Sequence, residues 1–137
     1  MLKKTKIGNK NRLKSKKTTE KIFNSGRVVY SPDKKLRAHF LLYKSSDECG
    51  IKSSVAVSKK AGKAVWRNRA KRLIREANRL SNYELFENCL YKNMQLEIIF
   101  AINSLNEAAN RKISLSDVQP PLEQILNRVN RELIESS

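Results

Sequence analysis

Four glycines, three prolines, two cysteines and one histidine are scattered over 137 residues, and each scarcity excludes something. Scattered glycines cannot build a phosphate loop of Walker or Rossmann spacing. Cys49, Cys89 and His39 cannot complete a zinc set of the usual spacing. The two thiols read as free in an intracellular, cytoplasmic setting, with a single disulfide between them left open. No apolar run approaches the roughly 18 residues that a membrane span requires. The N-terminus is basic but has no apolar core, so it is not a secretory signal. The carboxylates lie in turns or on the C-terminal amphipathic segment, and none are spaced to hold two Mg²⁺ ions for phosphodiester hydrolysis. There is no credible base–nucleophile pair. If the chain takes part in catalysis, a partner supplies the reacting groups.

What is abundant is positive charge. Lys and Arg number 29 against 13 acids, for a net charge of +16. The excess is confined to one part of the chain. Residues 1–79 carry 24 basic and five acidic side chains; residues 80–137 carry five basic and eight acidic. A chain at +19 in one part and −3 in the other has one polyanion-binding side and one structural end.

The densest stretch, residues 58–76, reads SKKAGKAVWRNRAKRLIRE. At 100° per residue, Trp66, Ala70, Leu73, Ile74, Ala77 and Leu80 fall on one stripe. Arg67, Asn68, Lys71, Arg72, Arg75 and Arg79 fall on the other side. Such a helix packs by one face and offers guanidinium groups by the other, which suits bidentate phosphate contact. An ordinary solvated face mixes charge signs, whereas Glu76 is the lone acid here among nine basic residues from Ser58 to Arg79.

The remaining pattern predicts a mixed α+β domain: a two-layer α/β sandwich in the order α-β-β-β-α-β-α. Residues 1–11 read as a flexible basic tail and residues 12–137 as one domain. Ser15 is placed to cap a short helix that runs to about Asn24 and ends at Gly26, with Thr19, Ile22 and Phe23 inward. Strands are expected at 28–29, 36–44, 51–57 and 96–102. In the second of these, Leu36, Ala38, Phe40 and Leu42 point to the core. Arg37, His39, Leu41 and Tyr43 point the other way, a basic and aromatic face suited to single-stranded nucleic acid. The basic helix is expected over residues 64–80. Residues 82–93 could be a short helix or an ordered loop, and 103–115 read as loop. The last helix is expected from about 117 to 134, with Pro120 and Pro121 in its first turn.

The run Ser58-Lys59-Lys60, Gly62, Ala64-Val65, then Arg67-Asn68-Arg69-Ala70-Lys71-Arg72-Leu73-Ile74-Arg75-Glu76 closely resembles the signature of the bacterial ribonuclease P protein component. Arg12-Leu13-Lys14, Ile22-Phe23 and Phe40-Leu41-Leu42-Tyr43 extend the resemblance over roughly residues 12 to 80. It implies the RNA-binding subunit of a ribonucleoprotein, an endonuclease in which a catalytic RNA, using Mg²⁺, removes the 5′ leader of precursor tRNA. The implied partners are that RNA and precursor tRNA, with no membrane and no small-molecule substrate. The implied RNA-subunit contacts are Lys59, Lys60, Arg67, Asn68, Arg69, Lys71, Arg72 and Arg75. Leader contacts are Phe23 and Tyr43, and the strand reading adds Arg37 and His39. No catalytic or metal-holding residue is implied. The fold would be that of the second domain of a small-subunit ribosomal protein, with a left-handed βαβ crossover.

The chain also departs from that family's pattern. Thr19 stands where an aromatic is common, and Ala70 where a larger branched residue is usual, with Trp66 one turn earlier able to fill the volume. Residues 31–37, 82–93 and 103–115 are extended. Ile102 and Asn103 replace the usual basic residue after the late strand. Two other classes share parts of the pattern. A general or ribosomal RNA-binding module would hold precursor and mature tRNA alike. A self-sufficient protein nuclease is disfavoured by the missing carboxylate cluster.

Overall fold

The computed structural model describes residues 16–45 and 47–135. The expected tail over residues 1–11, the Arg12-Leu13-Lys14 motif and the Ser15 cap lie outside the described residues. The elements are α1 (Lys16–Ser25), β1 (Arg27–Tyr30), β2 (Leu36–Lys44), β3 (Gly50–Ala56), α2 (Ala64–Ser81), α3 (Tyr83–Tyr91), β4 (Met94–Ile102) and α4 (Leu115–Glu135). A single 3₁₀ turn, Lys59–Ala61, precedes α2.

The strands form one sheet in the order β1-β2-β4-β3. β2 pairs antiparallel with β1 on one side and with β4 on the other, and β3 joins the edge of β4 in parallel. The parallel pair requires a crossover, which α2 and α3 provide. β4 is buried on both faces except at Glu97, which explains its unbroken apolar run. Alternation on β2 divides the sheet. Leu36, Ala38 and Phe40 are buried in the main core with Leu96, Ile98 and Phe100 of β4. Against that face pack Trp66, Ala70, Ile74 and Ala77 of α2 and Val118, Leu122, Ile125, Leu126, Val129 and Leu133 of α4. The opposite face carries Arg37, His39, Leu41 and Tyr43, and α1 lies over part of it.

Gly26 turns the chain from α1 into β1. Its N–H donates to the Ile22 carbonyl (2.8 Å), and a Cβ there would sit 2.8 Å from the Phe40 carbonyl oxygen. Only glycine fits so close an approach.

The open reading of residues 82–93 is decided, and three expectations need correction. Residues 83–91 are helical: Leu85 and Cys89 face the core, and Asn93, in the left-handed region at φ 56°, closes the helix. Leu80 is not part of the buried stripe, being 48% exposed, and its place inward is taken by Ala77 and the polar Asn78. Phe23 is not an inner residue like Ile22, since it is 41% exposed while Ile22 is fully buried. Finally, α4 begins at Leu115, so Pro120 and Pro121 lie in its second turn. A Ser114-x-x-Asp117 cap starts it early: the Ser114 N–H donates to Asp117 Oδ2 (2.8 Å).

Both long helices take their end charges from elsewhere. α2 has no acid in its first turn and no side-chain cap at Lys63. Glu107, from the β4–α4 loop, accepts the Lys63 N–H at 2.8 Å. α4 has no base in its last turn; Lys92 Nζ donates to the Leu133 and Ile134 carbonyls (3.2 and 2.9 Å).

Candidate nucleic-acid interface

Spacing of three and four residues puts Asn68, Arg72, Arg75 and Arg79 on one exposed stripe of α2. Lys59 and Lys60, on the 3₁₀ turn before the helix, are exposed as well, and Lys71 is half-buried. Arg79 is held by Glu76 (2.6 Å), a pair whose two side chains are both largely open to solvent. Its weight is therefore small.

The signature arginines do not all act alike. Arg67 Nε donates to the Gly62 carbonyl (3.0 Å), tying the helix to the turn before it. Arg69 Nε donates to the Ile113 carbonyl (3.0 Å) on the β4–α4 loop. Each is partly a strut, while Asn68 and Arg72 are exposed and have no such tie among the described residues.

The segment expected as loop over residues 103–115 is loop up to residue 114, and it is clamped along the first turns of α2. Lys63 N–H meets Glu107 (2.8 Å), Trp66 Nε1 meets the Asn110 carbonyl (2.9 Å) and Arg69 Nε meets the Ile113 carbonyl (3.0 Å). All three bonds join residues 44 apart, so loop and helix advance three residues at a time in register. The Glu107 N–H adds a bond to the Ala61 carbonyl (2.7 Å). Gly62 is required by this closeness: a Cβ there would meet Glu107 Cβ at 2.8 Å and Trp66 at 3.0 Å.

A second polar surface lies on the sheet face beside α1. Phe23 stands edge-on to His39, with ring centroids 4.6 Å apart and planes at 63°. Four residues along β2 from His39, Tyr43 is 42% exposed, and its hydroxyl donates to Glu97 Oε2 (2.9 Å). Burial, reinforced by that carboxylate, pushes the phenol up to about 12, so it stays a neutral donor. Arg37 is engaged at the other end. Its Nη1 donates to the Ile102 carbonyl (2.8 Å) and its Nε to His39 Nε2 (3.3 Å). Burial and then the Arg37 charge lower the His39 pKa, so His39 contributes a neutral ring to this face rather than a cation. Phe23, Arg37, His39 and Tyr43 thus come together on one surface, apart from the exposed stripe of α2. Strand register adds Tyr30, paired with Arg37 on β1 and 44% exposed. Sequence reasoning overlooked Tyr30, although the alternation in Arg27–Tyr30 could have found it.

Among the described residues, no group of three or more His, Cys, Asp or Glu side chains could hold a metal ion. No described helix is long and apolar enough to cross a membrane. The fold and its surfaces define a strongly basic, single-sheet α+β protein with a cationic helix and a separate aromatic strand face.

The family model for ribonuclease P matches residues 7–130, so the chain belongs to the ribonuclease P protein family. Solved structures agree in fold. The Staphylococcus aureus RNase P protein superposes with a TM-score of 0.64 at 22% identity, covering 87% of this chain and 94% of that one. The Thermotoga maritima RNase P protein gives 0.59 at 21% identity, covering 88% and 96%. No curated protein was found to match the sequence.

Proposed function

We propose that this chain is the cytoplasmic protein subunit of a ribonuclease P ribonucleoprotein, which removes the 5′ leader of precursor tRNA. The observation that carries the reading is the family match over residues 7–130. In this reading the α2 side, with Lys59, Lys60, Arg67, Asn68, Arg69, Lys71, Arg72 and Arg75, binds the catalytic RNA. The sheet face with Phe23, Arg37, His39 and Tyr43 holds the single-stranded leader.

The physical division of labour follows from the side chains. Guanidinium groups on α2 neutralise phosphates and orient by bidentate hydrogen bonds. Neutral aromatic rings on the sheet stack on unpaired bases, worth about 1–3 kcal/mol per base. The described residues offer no carboxylate cluster for the reaction, so hydrolysis and its Mg²⁺ are assigned to the RNA. In phosphodiester hydrolysis such ions polarise the phosphate and activate water. The protein's task is then to bind, orient and neutralise.

Reconstitution with the RNase P RNA of the same cell is the test. At low Mg²⁺, precursor cleavage should be faster with the chain than with RNA alone, and precursor should be held more tightly than mature tRNA. Equal grip of both would make the chain a general RNA-binding module. Cleavage by rigorously RNA-free protein would make it a nuclease in its own right. Arg72→Ala is the cleanest probe of the α2 face, because Arg67 and Arg69 also brace the fold. It should weaken assembly and reduce the log–log salt slope by about 0.9 if its phosphate lies in a duplex.

A further inference from the structure

The β4–α4 loop does more than brace α2. Where it meets the 3₁₀ turn it borders a shallow depression of about 680 Å³, open to solvent and lined in part by Lys60, Lys63, Asn106, Glu107 and Arg111. Three cations from two separate parts of the chain therefore converge on one concavity. Lys60, Lys63 and Arg111 are all exposed, and none has an ion-pair partner among the described residues. The one acid on the wall, Glu107, has Oε1 committed to the Lys63 N–H (2.8 Å).

The position of Arg111 is not accidental to the loop. The bonds from Trp66 to Asn110 and from Arg69 to Ile113 fix the backbone on either side of Arg111. Asn110 is anchored further by its N–H to the Asn106 carbonyl (2.8 Å). The root of the side chain is thus held while its head remains free for a ligand. Charge of one sign around a concavity with an anchored guanidinium matches a tetrahedral anion with sharable oxygens. The neighbouring α2 stripe makes a polyanion the source.

We propose that Lys60, Lys63 and Arg111 form a phosphate pocket that seats a backbone phosphate of the RNA bound by α2. The pocket extends the cationic surface past the helix and onto the β4–α4 loop. This rests on the reading of α2 as the RNA-subunit face, and it adds a discrete contact from the acidic end of the sequence.

The experiment measures affinity for the RNase P RNA against salt concentration, in the full chain, for Arg111→Ala, Lys112→Ala and Glu107→Gln, with Arg72→Ala as reference. Circular dichroism confirms folding of each variant. Arg111→Ala should weaken binding several-fold and lower the slope by about 0.9, one duplex phosphate. Lys112→Ala, also exposed but outside the pocket, should have a clearly smaller effect. Glu107→Gln keeps an acceptor for Lys63 and removes the negative charge from the wall, so it should tighten binding. Equal losses for Arg111→Ala and Lys112→Ala would replace the pocket with a diffuse field and overturn the proposal. So would an unchanged Arg111→Ala while Arg72→Ala weakens binding, and in that case the α2 reading would survive. If Arg72→Ala is also without effect, both fall together.

Discussion

α2 and α4 are both long amphipathic helices packed on the same sheet face and on each other, and they differ in what each presents inward and outward. α2 buries one tryptophan, one isoleucine, two alanines and an asparagine: Trp66, Ile74, Ala70, Ala77 and Asn78. α4 buries a row of branched residues, from Val118 to Leu133. Outward, α2 carries the exposed arginine stripe, while α4 mixes Glu123, Arg128, Arg131 and Glu135. The same period of 3.6 thus yields a binding helix and a core-filling helix. The inner faces set how much stability each contributes, and the outer faces set what each can touch.

The comparison is broken most severely from the core side. Leu122→Ala on α4 removes a fully buried side chain and should cost about 2–5 kcal/mol, read by denaturant unfolding. Arg72→Ala on the outer face of α2 should move stability by less than about 0.5 kcal/mol. A comparable loss from both would erase the distinction between the helices.

Gly62→Ala sharpens it from the side of the loop. The added methyl must push Glu107 and the backbone that carries it away from α2. We expect about 1–3 kcal/mol lost in unfolding, together with weaker RNA binding. A variant as stable as the parent would show that the clamp along α2 gives way freely.

Tyr43→Ala separates the sheet face from the helix. Loss of one stacking platform should weaken leader binding by about 1–3 kcal/mol and leave affinity for the RNA subunit unchanged. Tyr43→Phe should keep most of the leader affinity, because the hydroxyl is spent on Glu97. A matching loss of RNA-subunit affinity in Tyr43→Ala would merge the two surfaces into one.

The smallest effect is on pH dependence. The folded state holds the His39 pKa below its ordinary value of 6.5, so the unfolded chain binds the proton more readily. Stability contributed by neutral His39 is complete above pH 6.5 and declines as pH falls through that value toward the folded-state pKa. Part of the decline should vanish in His39→Gln, seen in thermal melts across that range. Identical slopes in both proteins would mean that His39 is not the group responsible.

Much of this was legible without coordinates. The limits of β2 agree with the expected 36–44, and α2 runs one residue beyond the expected 64–80. Both rest on local periodicity, where an apolar residue is classified by neighbours two, three or four positions away. Family membership was likewise legible, in the run from Ser58 to Glu76. α4 starts earlier than expected, at Leu115, because the Ser114–Asp117 cap outweighs the two adjacent prolines. α3 was left open because Tyr83, Leu85, Phe86, Leu90 and Tyr91 fit a helix or a loop equally well, and only burial of Leu85 and Cys89 beneath it decides.

By itself, then, the sequence determined the charge partition, the period of each main element and the arginine-rich run that marks the family. These are properties of composition and of near neighbours along the chain. Tertiary structure alone decided that Arg67 and Arg69 serve as struts, that Glu107 and Lys92 complete helices far from them in sequence, and that Arg111 meets Lys60 and Lys63 at one depression. Those pairings join residues some 40 or more positions apart, apart from the Arg67 tie to Gly62. No periodicity encodes them, because they depend on which faces the folded sheet and its helices bring within hydrogen-bond reach.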